Sequence, residues 1–136
     1  ASEKTVADMR AFGLLLGTAF QIKDDLFDYQ QENRTGKPTG IDIKEQKMTL
    51  PLIYALQNVS PADKKFIIRV VKRHNHQRRK VEKVMQMVRA SGGLEYAEAK
   101  MRELHQQALE KLHRWPDNPA RQSLEQLSHY VIERKK

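Results

Sequence analysis

The chain has 136 residues, of which 25 are Lys or Arg and 17 are Asp or Glu, giving a formal net charge of +8. It contains no cysteine, which excludes a disulfide scaffold and any thiolate metal site. The stretches without a charged residue, including 11–22 and the longest one, 48–62, are too short for a membrane span, and the N-terminus has no signal-peptide pattern, so we expect a cytoplasmic protein.

The first predicted element is a long helix over about 4–31, whose middle is dense in apolar residues. Gly13 and Gly17 lie four residues apart on one face, although each glycine in a helix interior costs about 1 kcal/mol. Two glycines on one face allow the backbone of another helix to approach. We therefore expect this helix to be central in a larger bundle.

Three acidic residues, Asp24, Asp25 and Asp28, follow in the C-terminal part of this helix, where two local effects disfavour them. Asp24 and Asp28 share a face, and like charges at that spacing destabilise a helix by about 0.2–0.5 kcal/mol. The helix dipole also disfavours anions at this end. A divalent cation would reverse both penalties, and oxygen ligands favour Mg²⁺, with Gln21 placed one turn earlier to reach the same ligand. The alternative is that the three acids merely face solvent.

A loop is predicted over 32–45, because its glycines and proline are incompatible with a continuing helix. Two lysines, Lys37 and Lys47, follow the acidic segment, and the backbone freedom at Gly36 and Gly40 permits close approach to an anion. Carboxylates, Mg²⁺ and lysines in this order predict a diphosphate-binding site.

The rest of the chain shows helical periodicity and no strand pattern, so the predicted fold is all-α, with 1–136 as a single segment. Helices are predicted over about 47–58, from 61 after a cap at Ser60, around 81–88, over 94–112 and around 124–131. His105 and His113 lie on the polar side of their helix and are predicted to be on the surface.

All of the net charge lies in the segment 64–83, which holds nine basic residues and one acid. Such a block indicates either a surface that binds anions or a solvated helix face. A non-catalytic helical module that binds nucleic acid or a partner protein is therefore the alternative function. Because Phe66 is the only Phe, Tyr or Trp in the block and base stacking uses several such rings, we do not expect nucleic acid as the partner.

A close resemblance to the second aspartate-rich region of trans-isoprenyl (polyprenyl) diphosphate synthases is carried by Phe20–Tyr29, Gly36–Ile43 and Lys47–Ile53. Weaker similarity continues at Gly92–Ala97 and Tyr130–Arg134. The resemblance implies the C-terminal portion of an isoprenoid-synthase-type helical bundle. It also implies an enzyme in which an allylic diphosphate ionises, isopentenyl diphosphate attacks the resulting cation, and a proton is lost.

The resemblance also implies roles for the charged residues. Asp24 would be a direct Mg²⁺ ligand, with Asp25 and Asp28 acting partly through water. Lys37 and Lys47 would hold the allylic diphosphate.

Four further positions are implicated by the same resemblance. Phe20 and Gln21 would line the cavity beside the reacting carbons, with Gln21 counted as catalytic together with Asp24 and the two lysines. Asp42 would support the lysine loop. Arg134 resembles the basic C-terminal end that closes over isopentenyl diphosphate.

The family also has an earlier aspartate-rich motif, whereas this chain contains a single DDxxD pattern, at 24–28. We therefore expect the chain to be the C-terminal half of such an enzyme and to lack activity alone. The full-length enzyme would be a homodimer. In the isolated half, the apolar glycine face of the first helix would be exposed or covered by oligomerisation.

Overall fold

A computed structural model describes residues 2–30 and 39–135, and these residues form seven α-helices and no strand. The predicted all-α class is thus confirmed. The helices are α1 (Glu3–Phe27), α2 (Ile41–Lys44), α3 (Leu50–Asn58), α4 (Pro61–Arg73), α5 (Arg78–Ala90), α6 (Gly93–Leu112) and α7 (Pro119–Glu133). None of these described helices has both the length and the hydropathy needed to cross a membrane.

The described residues form two compact units, one within Asp24–Ala97 and the other within Ala1–Lys23 together with Glu98–Lys136. The core of the first unit is made by the apolar faces of α3, α4 and α5, where Leu52, Ile67 and Val84 are completely buried. Burial of each such side chain contributes about 1.5–3 kcal/mol. This core supports the segment that carries the acidic residues.

Helix starts follow the local signals in the sequence. The Oγ of Ser60 accepts a hydrogen bond from the Asp63 amide at 3.2 Å, and Pro61 occupies the first turn of α4. At the start of α6, a Cβ on Gly93 would lie 2.6 Å from the carbonyl oxygen of Pro51, so only glycine permits this close approach.

The structure differs from the predicted boundaries in three places. The segment 32–45, predicted as a loop, contains the single turn of α2, while 31–38 lie outside the described residues. The helix predicted from 47 begins at Leu50, because Pro51 is tolerated only in the first turn of a helix. Helix α1 ends at Phe27, four residues earlier than its apolar pattern predicts.

The second unit has a separate core, in which Phe12 packs with Ala108 and Leu112 and contacts the edge of Trp115 at a centroid distance of 6.4 Å. The face of α1 that carries Phe12 packs against this core. Buried Leu112 and Ala108 come from α6. Only part of the apolar surface of α1 is therefore buried within this unit.

The glycine face of α1 is exposed. None of the described residues lies within 4 Å of a Cβ built on Gly13 or Gly17. Val6 and Met9 are each 47% exposed and Phe20 is 42% exposed. These five positions share one helical face, so a stripe of apolar and small residues faces solvent in the described chain.

The prediction that His105 lies on the surface is wrong, because its side chain is only 6% exposed. Its Nε2 lies 3.3 Å from the Oγ of Ser128 in α7, and its ring meets the edge of the His129 ring at 4.9 Å. Burial lowers the pKa of His105, and the charges of His129 and Arg102 lower it further, against an opposing effect of Glu133.

We expect this lowered pKa to make the fold acid-sensitive. The unfolded chain takes up the His105 proton first, near its ordinary pKa of about 6.5, so stability is full above that pH and falls as the pH drops through the lower folded value. Urea unfolding should show that the free energy of unfolding falls less between pH 7 and pH 5 in His105→Gln than in the wild type. His113→Gln, at an exposed histidine, should keep the wild-type loss. An equal loss in wild type and His105→Gln would contradict this assignment.

Candidate functional site

The carboxylate of Asp28 joins the end of α1 to the turn that begins α2. Its Oδ1 accepts a hydrogen bond from the Ile41 amide at 3.0 Å, and its Oδ2 accepts one from the Asp42 amide at 3.2 Å. The Asp28 carbonyl accepts a third bond, from the Gly40 amide, at 3.3 Å. These bonds hold the Asp42 side chain beside the acidic end of α1.

Gly40 is required by this turn. Its φ of 77° lies in the left-handed region, where a side chain is disfavoured. A Cβ at this position would also lie 2.9 Å from Cγ1 of Val81 and 3.1 Å from the sulfur of Met85. The turn therefore packs directly on the core of its unit. This packing determines how deeply Asp42 is buried.

Carboxylates are crowded around Asp42. Burial raises the pKa of Asp42 to about 6, and the negative charges of Asp28 and Asp25 raise it as well, while Lys47 lowers it. Burial also raises the pKa of Asp28, and this effect exceeds the opposing effect of its backbone hydrogen bonds. Burial and neighbouring carboxylates thus both disfavour the ionised form of Asp42.

Lys47 lies beside this cluster. Its Nζ is 3.2 Å from Oε2 of Glu45 and 3.7 Å from Oδ1 of Asp42, and its side chain is 55% exposed. Hydrogen bonding and charge from Glu45, followed by the charge of Asp42, raise the pKa of Lys47. The ammonium group is therefore held charged, close to the acids and open to solvent.

Two side chains anchor the segment that precedes Lys47. Gln46 has a φ of 59°, and its Nε2 donates to the carbonyls of Val71 and Lys72, both at 3.1 Å. Nδ2 of Asn75 donates to the carbonyl of Lys44 at 2.7 Å. The sequence reasoning did not identify Gln46 or Asn75, because both bonds join residues at least 25 positions apart and leave no local pattern.

Most of the predicted charged residues of the Asp24–Ala97 unit are thus brought together, since Asp25, Asp28 and Lys47 all act on Asp42. Asp24 precedes Asp25 in the last turn of α1. Lys37 lies outside the described residues.

The predicted residues of the second unit also include a contacting pair. The guanidinium of Arg134 lies 4.1 Å from the ring centroid of Phe20 and donates to the Phe20 carbonyl at 3.3 Å. Nε of Arg134 donates to the Val131 carbonyl at 3.0 Å. Arg134 therefore fixes the C-terminal end of α7 against α1 at the residue before Gln21.

The acidic cluster fits part of a divalent-cation site. No group of three or more His, Cys, Asp or Glu within residues 2–30 and 39–135 is arranged to hold an ion by itself. Mg²⁺ is ordinarily bound through one or two carboxylates, with water and substrate phosphates completing its shell. The protein would supply only some of the ligands of such an ion. The carboxylates of the cluster suit this role, because they lie close together, their pKa values are raised and they offer oxygen as the only donor atom.

Comparison with protein families identifies the chain. Residues 1–88 match the family model described as polyprenyl synthetase. The chain belongs to the polyprenyl synthetase family. The matched region contains the acidic cluster, Lys47 and the whole basic segment 64–83, whereas Arg134 lies outside it.

Individual relatives extend the similarity over nearly the whole chain. The octaprenyl diphosphate synthase of Escherichia coli is 35% identical over 127 residues, which cover 93% of this chain and 39% of the relative. The structure of a decaprenyl diphosphate synthase from Rhodobacter capsulatus has a TM-score of 0.89 and 36% identity, covering 100% of this chain and 42% of that chain. The chain thus spans about two fifths of the length of these synthases.

A third relative was solved with ligands. The structure of a polyprenyl synthase from Caulobacter crescentus, complexed with calcium and isoprenyl diphosphate, has a TM-score of 0.85 and 28% identity. It covers 100% of this chain and 42% of that chain. Use of a divalent cation and of isoprenyl diphosphates is therefore found among proteins with this fold.

Removing the Asp28 carboxylate should loosen the turn before α2. We expect Asp28→Ala to lower the free energy of unfolding by about 1–2 kcal/mol, because the amides of Ile41 and Asp42 lose their acceptor. Asp28→Asn keeps one acceptor oxygen and should lose about half as much. Chemical denaturation measures both variants, and an Ala variant as stable as the wild type would show that these bonds do not hold the turn.

The raised pKa of Asp42 gives a second stability prediction. Because the folded state favours protonated Asp42, this group stabilises the fold below the unfolded pKa of about 3.8, and the contribution is lost as the pH rises through about 6. The stability of Asp42→Asn relative to the wild type should therefore be higher at pH 7 than at pH 4. Asp63→Asn, in the first turn of α4, serves as the control and should lack this trend. The same difference for Asp42→Asn at both pH values would contradict the raised pKa of Asp42.

Proposed function

We propose that this chain supplies one wall of the active site of a prenyltransferase that condenses isopentenyl diphosphate with an allylic diphosphate. The observation that carries the proposal is the acidic cluster of Asp25, Asp28 and Asp42 beside Lys47, in a chain of the polyprenyl synthetase family. Crowded carboxylates beside an exposed lysine suit a ligand that brings both a cation and phosphate groups.

In the proposed reaction the bond between the allylic carbon and the diphosphate oxygen breaks, and the electron pair leaves with the diphosphate. The double bond of isopentenyl diphosphate forms the new carbon–carbon bond, and loss of a proton restores a double bond. Bound Mg²⁺ would neutralise charge on the leaving diphosphate. Asp24, Asp25 and Asp28 are the residues we assign to hold it, and Lys37 and Lys47 are assigned to the diphosphate oxygens.

The remaining assignments concern the organic part of the substrates. Phe20 and Gln21 precede Asp24 in α1, and we assign them to the cavity beside the reacting carbons. Asp42 is assigned to support Lys47, in keeping with their 3.7 Å separation. Arg134 is assigned to the end of the cavity that receives isopentenyl diphosphate, and its contact with Phe20 supports this placement.

The rest of the cavity is proposed to come from chain that is not in this sequence. This sequence spans about two fifths of its relatives and has a single DDxxD pattern. The exposed face of α1 around Gly13 and Gly17 is assigned to pack against the other half or, in the isolated chain, against a second copy. We further propose that the isolated chain does not transfer prenyl groups, and that the whole enzyme is a cytoplasmic homodimer.

The assignment is tested on the complete protein encoded by the reading frame that contains this chain. It should incorporate labelled isopentenyl diphosphate into a longer prenyl diphosphate in the presence of Mg²⁺. Asp24→Ala should lower kcat at least about 100-fold, because it removes charge stabilisation at the leaving group. Lys47→Ala should mainly raise the KM for the allylic diphosphate, by about tenfold.

Asp63→Ala provides the matched control, since this acid lies in the first turn of α4 rather than in the cluster, and its kcat and KM should stay near the wild-type values. The proposal fails if the complete protein does not extend an allylic diphosphate, or if Asp24→Ala retains full activity.

A further inference from the structure

An apolar cavity of about 430 Å³ lies between α3, α4 and the segment 46–48. Leu52 and Ile67, both completely buried, form part of its lining, while Met48 is 54% exposed. Its volume lies within the range of about 300–1,000 Å³ that is typical of small-molecule sites. Gln46, which anchors the segment before Lys47, lines this cavity, but no carboxylate of the acidic cluster does, so the cavity is available for another ligand.

A second, cationic cavity of about 350 Å³ adjoins it on α4. Lys65, Arg69, Lys72 and Arg73 line it, together with Ile68. No ion pair joins any of these four basic residues to an acid in the part of the chain that the structure describes. Four unneutralised cations around one hollow create a positive potential that attracts an anion.

The two cavities are adjacent, because Ile68 and Lys72 line both. A solvated basic helix face accounts for the cations but not for an apolar hollow beside them. A purely apolar ligand would fill one cavity and leave the cations unpaired, and a free inorganic anion would leave the apolar hollow empty. The juxtaposition requires a ligand that has both an apolar chain and an anionic group.

We propose that α3 and α4 form a binding site for a phosphorylated amphiphile, with its apolar chain in the cavity beside Met48 and its phosphate among the basic residues of α4. Arginine presents a planar set of donors that matches phosphate oxygens, and lysine adds a mobile charge. The site shares no side chain with the proposed diphosphate site, and it does not rest on the proposed function.

Calorimetric titration of this chain with decyl phosphate, below its micelle concentration, tests the proposal. We expect saturable binding at one site, with inorganic phosphate and 1-decanol each binding at least about tenfold more weakly, because each lacks one of the two matched groups. Equal binding of decyl phosphate and inorganic phosphate would overturn the proposal, since the apolar cavity would then have no role.

Variants locate the binding. Arg69→Gln combined with Lys72→Gln should weaken decyl phosphate binding about tenfold or more. The control pair Lys64→Gln and Arg79→Gln removes the same charge outside both cavities and should change the affinity less than about twofold. An equal loss of affinity in the two double variants would show that net charge alone determines binding and would overturn the proposed site.

The apolar half is tested by Met48→Gln, which should weaken decyl phosphate binding and leave the weak binding of inorganic phosphate unchanged. Because Met48 is largely exposed, the variant should keep the fold, which the circular dichroism spectrum monitors. Unchanged decyl phosphate binding in this variant would contradict occupation of the cavity.

Vesicles distinguish the two sources of such a ligand. Competition between bound decyl phosphate and phosphatidylglycerol vesicles, but not phosphatidylcholine vesicles, would assign the site to an anionic membrane lipid. Binding that neither vesicle displaces would assign it to a free amphiphile. Each result supports the site and identifies its occupant.

Discussion

Crowding of negative charge is the constraint on which the candidate site depends. Burial raises the pKa of Asp28 and Asp42, and the charges of Asp28 and Asp25 raise the pKa of Asp42 further, so the fold disfavours ionised carboxylates here and other contacts must hold them in place. The backbone amides of Ile41 and Asp42 hold Asp28, and Gly40 lets the turn pack on the core. Keeping these carboxylates together therefore lowers the stability of the fold, which is expected where a cation is to be bound.

Much of this structure follows from local patterns in the sequence. The start of α4 at Ser60 and Pro61 and the acidic end of α1 are both visible in a few neighbouring residues. Helix α2 is not visible in this way, because its first amides bond to Asp28, 13 and 14 residues earlier. His105 was misplaced for a similar reason, since the residues that contact it, Ser128 and His129, come from α7.

Net charge and site chemistry are separate properties of this chain. The whole excess of +8 lies in 64–83, whereas the acidic cluster and Lys47 belong to a part of the sequence with no net charge. The local balance around Asp42 therefore decides what the site can bind. The basic segment instead gives α4 a cationic surface beside an apolar cavity, and this is a different recognition chemistry.

The central claim is that the acidic cluster is one half of a site for a divalent cation and a diphosphate. Nuclear magnetic resonance of the ¹⁵N-labelled chain with Mn²⁺ tests it most directly, because the bound ion broadens nearby amide signals. With inorganic diphosphate present, we predict that broadening is centred on the amides of 24–28 and 40–47. Broadening centred instead on another acidic region, such as Glu98–Glu103 of α6, would contradict the account.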